Sequence, residues 1–116
     1  MQLTVSSVDY APDELYEQAP FVVELLRQMP GKDRDDYWLG SVTPPLRWIV
    51  DGVERSITHV VVSARWMGDR IGRGVRTMPL NIAFVTDASL LDDAQVTASK
   101  CVFVAIGVCD ETGPGR

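Results

Sequence analysis

The sequence predicts an α+β domain: one N-terminal helix packed on a curved antiparallel sheet of about five to six strands, with a barrel-like closure of that sheet as the rival arrangement. Three observations predict it. Apolar residues recur at helical spacing across 12–29. From Tyr37 onward, apolar and polar residues alternate in runs broken by turn signals. Cys101–Val108 is one continuous apolar run, as expected of a central strand.

Gln2–Ser7 sets Leu3 and Val5 against Thr4 and Ser6 and reads as a short strand. Pro12–Met29 is the expected helix. Leu15, Ala19, Val22, Leu26 and Met29 form one stripe, Pro12 suits a first turn, and Asp13 and Glu14 suit the positive end of the dipole. Pro20 removes a backbone donor inside that segment, so a kink or a fresh start is expected there. Pro30-Gly31 ends the helix, and Lys32–Asp36 is a charged loop.

Tyr37–Val42 is a strand closed by Pro44-Pro45. Leu46–Val50 and Val53–Ala64 flank Asp51-Gly52, a strong hairpin signal. A two-residue turn there sets Val50 opposite Val53, Trp48 opposite Arg55, and Leu46 opposite Ile57. Trp66–Gly74 is a loop of glycine and arginine. Val75–Thr86 is a strand with Met78, Leu80, Ile82 and Phe84 on one face, and Pro79 marks its start or an edge. Asp87–Lys100 is polar, with one helical turn expected at Leu90–Gln95. Asp110–Arg116 reads as a flexible tail. At 116 residues the chain reads as a single domain over 1–116.

One helix covers only one face of a sheet. Yet strict alternation puts Val102, Val104, Ile106 and Val108 on one face of the last strand and Cys101, Phe103 and Ala105 on the other. His59–Val62 is likewise apolar on both sides. Leaving four such side chains in water would forgo roughly 6–12 kcal/mol at about 1.5–3 kcal/mol each, comparable with a domain's net stability. A second cover is therefore required, from barrel closure or from a second copy. A homodimer is the preferred expectation, because two-fold dimers are the commonest assembly.

Net charge is −5, unevenly placed. Residues 1–36 carry 8 acids and 3 bases, 37–86 carry 3 acids and 6 bases, and 87–116 carry 5 acids and 2 bases. An acidic total argues against a nucleic-acid partner, whose phosphates demand many Lys and Arg contacts. There is no apolar run of about 18 residues, so no membrane span is expected. The N-terminus lacks the basic and apolar regions of a secretory signal. Cys101 and Cys109 would lie roughly 26 Å apart on an extended strand, far beyond the about 7 Å that a disulfide tolerates. Both are expected reduced, which points to the cytoplasm.

Catalytic constellations are thin, and no catalytic residue, metal site or cofactor is expected. His59 is the only histidine, and zinc wants three or four close nitrogen or sulfur ligands. The carboxylates of Asp33, Asp35 and Asp36, of Asp92 and Asp93, and of Glu14 and Glu17 read as solvated loop or helix-face acids. The distinctive segment is Arg65–Arg76, where arginine forks suit phosphate or carboxylate and Trp66 offers a stacking ring. Its glycine spacing matches neither a P-loop nor a dinucleotide fingerprint. The candidate ligand-binding residues are Arg65, Trp66, Arg70, Arg73 and Arg76, with Trp48, His59 and Phe84 lining a pocket between helix and sheet.

The expected function is that of a small, soluble, non-catalytic binding or interaction protein, cytoplasmic and homodimeric. The alternative is a small-molecule-binding protein or enzyme acting on an anionic ligand, held by the Arg/Gly loop in the helix–sheet pocket. A third reading is an acidic module that neutralises a basic protein partner through charge complementarity.

Overall fold

A computed structural model describes residues 2–31, 36–50, 52–65, 71 and 78–112. It corrects the predicted fold class. The chain is a closed antiparallel barrel, with strands β1 (Gln2–Asp9), β2 (Phe21–Gln28), β3 (Trp38–Val50), β4 (Val53–Ala64), β5 (Met78–Val85) and β6 (Cys101–Thr112) in sequence order around it. The only α-helix among the described residues is one turn, α1 (Asp13–Tyr16). No helix of the described residues is long and apolar enough to cross a membrane.

The predicted long helix fails at Pro20, and β2 begins at the next residue. Phe21, Val23 and Leu25 alternate into the interior, at 3%, 0% and 8% exposure, while Leu26 of the apparent helical stripe is 49% exposed. Both periods fit this segment on paper. The β-branched pair Val22-Val23 and the proline before it favour the strand.

The barrel closes where β1 meets β6, with Leu3↔Glu111, Val5↔Cys109 and Val8↔Gly107 as rungs. Asp110–Thr112, expected in a tail, are thus the last rungs of a strand. The interior is filled by the barrel's own side chains: Leu3, Val5, Phe21, Val23, Leu46, Trp48, Ile57, Val60, Val62, Leu80, Ile82 and Phe84 all belong to one buried cluster. A barrel of so few strands is narrow, and β6 meets the large side chains of β5 with small ones. Ala105 is buried opposite Ile82, and Gly107 opposite Leu80. A Cβ on Gly107 would lie 2.6 Å from Ile82 Cδ1, 3.2 Å from Val5 Cγ1 and 3.3 Å from the Ser7 carbonyl oxygen.

The register skips a residue at several places, and each skip bends a strand. In β6 the pairing steps from Val102 (opposite Phe84) to Val104 (opposite Ala83), passing over Phe103. Strict alternation therefore breaks. Val102 packs against the core, yet Ile106 and Val108 fall on the outer side. Ser6 in β1 and Leu26 in β2 are passed over in the same way. The segment from Val42 to Pro45 separates the two paired stretches of β3.

The β3–β4 hairpin runs past the end of β2, whose pairing with β3 stops at Thr43. The chain between β1 and β2 covers that exposed edge. Gln18 Nε2 donates to the Arg47 carbonyl at 2.6 Å, the Arg47 N–H donates to Gln18 Oε1 at 2.7 Å, and the Ile49 N–H donates to Glu14 Oε1 at 3.2 Å. A free strand edge is a pairing hazard, and these side chains occupy it. Leu15 of α1, at 1% exposure, joins the core cluster from this end.

The second cover required by the outer face of β4 and β5 comes from the chain itself. Residues 86–100 form a strap containing two 3₁₀ turns, Ala88–Asp92 and Ala98–Lys100. Leu90 is fully buried against Met29, Leu39, Val61 and Val85 in a second apolar cluster. Of the two apolar faces on which the homodimer expectation rests, the strap thus covers that of His59–Val62 at Val61, while Ile106 and Val108 on the outer side of β6 stay half-buried.

Gly107→Ala is expected to cost about 1–3 kcal/mol of unfolding free energy in urea titration, the usual penalty of overpacking. Pairing it with Ile82→Val, which removes the crowded Cδ1, is expected to recover part of that loss; an additive double mutant would contradict this packing.

Candidate functional site

The strap has the close ends of an Ω-loop. Its ends meet through Thr86 N–H and Asp87 N–H, which donate to the Lys100 carbonyl at 3.0 and 3.3 Å. Asp87 caps the first turn: Oδ1 accepts from the Ser89 N–H at 3.0 Å and from the Ser89 hydroxyl at 2.8 Å. Lys100 Nζ donates to Asp93 Oδ2 at 2.7 Å. Three bonds tie the strap to the far side of the β2–β3 turn. Arg27 Nη2 donates to the Leu91 and Asp93 carbonyls at 2.8 and 2.6 Å, and the Val96 N–H donates to the Pro30 carbonyl at 3.2 Å.

Between the strap and the barrel wall lies a cavity of about 340 Å³. Its floor is two successive outward rungs of the β4–β5 ladder, Val61↔Ala83 and Ser63↔Asn81. Val96 and Ala98 of the strap, Tyr37, Val102 and Cys101 complete its lining. The wall is mainly apolar, and the polar groups concentrate at the Ser63–Asn81 rung. Asn81 Nδ2 donates to Ser63 Oγ at 3.5 Å, and Arg65 Nη1 donates to Asn81 Oδ1 at 3.2 Å. Arg65 itself is exposed, two residues beyond Ser63 on the same outward side of the chain.

Burial pushes the Cys101 thiol above the ordinary thiol pKa, so at neutral pH the cavity wall carries a neutral S–H. Cys109 is in no disulfide and is buried in the barrel core. His59 lies outside the cavity lining, on the outer side of β4 opposite Ser41, with its Nδ1 2.9 Å from Thr58 Oγ1. Burial lowers its pKa.

The predicted site residues are thus dispersed. Trp48 and Phe84 are barrel core, at 8% and 1% exposure, and the helix–sheet pocket they were expected to line does not form because the long helix does not. His59 faces the opposite side of the wall. Arg65 reaches the rim of the outer cavity through Asn81. Trp66, Arg70, Arg73 and Arg76 lie outside the described residues. Sequence reasoning passed over Ser63, Asn81, Ala83 and Val96. One signal was present: Ser63 and Asn81 are polar interruptions in two otherwise apolar strands, and they fall opposite each other once the β4–β5 register is known.

A second cleft, about 290 Å³, is lined by Glu14, Glu17, Gln18, Arg47, Ile49 and Glu54. Its Glu14 and Gln18 side chains are committed to the β3 edge, so it reads as the seam where α1 docks. Among the described residues no group of three or more His, Cys, Asp or Glu is placed to hold a metal ion. Compared with known protein families, curated proteins and solved structures, the chain matches none.

Two outcomes follow from the strap's chemistry. The hydrogen bonds from Ser89 hold the Asp87 carboxyl below the ordinary carboxylate pKa. A carboxylate lowered on folding contributes stability that is complete above its unfolded value, about 3.9, and is lost as pH falls through the lowered folded value. Asp87→Asn is expected to flatten that part of the acid limb, read as a smaller loss of stability between pH 5 and the acid transition than in the parent protein. With Ellman's reagent at pH 7.5, Cys101 is expected to react more slowly than free cysteine and Cys109 only on unfolding; two fast thiols would contradict this burial.

Proposed function

We propose that the protein is a non-catalytic binding module and that its ligand is a small molecule seated in the outer cavity between the strap and the β4–β5 wall. The single observation that carries this reading is where the open space lies. The interior of the barrel is filled by its own side chains, as in other barrels of small strand number. The outer cavity, at about 340 Å³, falls within the range of small-molecule sites and combines apolar walls with a few polar groups at one end.

The lining favours binding over catalysis. Its thiol is held protonated by burial, the chain's one histidine lies outside it, and the nearby charges of Asp93 and Lys100 are spent on each other within the strap. A loop secured at several points on a rigid wall suits a site of fixed shape, which lowers the cost of ordering on binding.

Nile red, an uncharged apolar dye, tests the site independently of any ligand charge. Its fluorescence is expected to rise and shift to the blue with the parent protein. Ala83→Phe, which fills the cavity floor with a ring, is expected to abolish that response while leaving the far-UV circular dichroism and thermal midpoint near the parent's. An unchanged dye response in a folded Ala83→Phe protein would overturn the assignment.

A further inference from the structure

We infer that the cavity selects a ligand with a short apolar body ending in a carboxylate. This rests on the cavity being the binding site. The evidence is the donor and acceptor balance of its polar end. Ser63 is 1% exposed and lines the cavity, and its oxygen accepts a single long bond, 3.5 Å, from Asn81. Among the described residues no acceptor takes the Ser63 hydroxyl proton. A hydroxyl offers one donor besides its acceptor lone pairs, and an unmade donor in so buried a place is costly.

Asn81 points the same way. Its Oδ1 is engaged by Arg65, which fixes the amide orientation, and its Nδ2 carries two protons of which one is directed at Ser63. Each of the two oxygens at the polar end thus already accepts one bond, while the Ser63 hydroxyl proton and the second Asn81 proton are to spare, with the Arg65 guanidinium one bond further out. None of the residues lining the cavity is acidic. A carboxylate is acceptor-only and can take bonds from the Ser63 hydroxyl and the second Asn81 proton, strengthened by the neighbouring positive charge. An ammonium group would bring only donors to a site already rich in them. The apolar body would then lie along the Val61↔Ala83 rung, beneath Val96.

The discriminating experiment is calorimetric titration of three isosteric probes, 4-phenylbutyrate, 4-phenylbutanamide and 4-phenylbutylamine, alongside Nile red. The parent protein is expected to bind the carboxylate about tenfold more tightly than the amide, the scale of one charge-assisted hydrogen bond, and to show no heat with the amine. Arg65→Gln, at an exposed position, is expected to erase the preference for carboxylate over amide. Ser63→Ala is expected to weaken both, since each offers an acceptor to the hydroxyl, and to leave Nile red binding intact. Equal affinities for carboxylate and amide, or tightest binding of the amine, with Nile red still bound, would overturn the ligand class and leave the cavity standing as a site. Silence from Nile red and all three probes would overturn the cavity itself.

Discussion

Pairing of β1 with β6 is the interaction on which the rest of the structure depends. It removes the two outer edges that an open six-stranded sheet would present and gives every strand an inside. It also sets a steric limit. The ring is narrow, so the large side chains of β5 can point inward only where β6 withdraws to Ala105 and Gly107. The skipped residues in β1, β2 and β6 supply the bends that let strands of this length coil around so small a core.

Closure settles one face of each strand and leaves the other. For β4 and β5 the outer face is apolar at Val61 and Val85, and fully burying such side chains stabilises a fold by about 1.5–3 kcal/mol each. The strap supplies that cover by inserting Leu90 between them and Met29 and Leu39. It does so incompletely. Where the outward residues change from Val61 and Ala83 to Ser63 and Asn81, the strap stands off the wall and the cavity opens. The candidate site is a consequence of this architecture: a rigid floor of paired strands, a roof held by backbone and ion-pair contacts, and a polar rung at one end.

The turn end of the hairpin was legible in the sequence, whereas the register shift between Ser41 and Leu46, which sets Val60 and Val62 in the core and Val61 outside it, was not. Asp51-Gly52 dictated a two-residue turn, and the pairs Val50↔Val53, Trp48↔Arg55 and Leu46↔Ile57 are those observed. The inward face of β5, Met78 to Phe84, followed from strict alternation and is buried throughout. The N-terminal segment was misread because its spacing satisfies two periods at once, and only the tertiary demand for a strand beside β1 and β3 chooses between them. The two faces of β6 were misassigned because one unpaired residue, Phe103, inverts the alternation beyond it, and nothing in a run of apolar residues marks where a bulge falls. The cavity was invisible for a related reason: it joins Tyr37, Ser63, Asn81 and Val96, which are brought together by register and by the path of the strap.

The most direct measurement is a methyl NOE experiment on a sample mixing isotope-labelled and unlabelled chains, resolving contacts within a chain from contacts between copies. Cross-peaks from the Leu90 methyls to those of Val61 and Leu39 are expected within a single chain. If Val61 and Leu39 instead show contacts only to a second copy, or none to Leu90, the wall is covered by something other than the strap and the cavity beneath it does not exist.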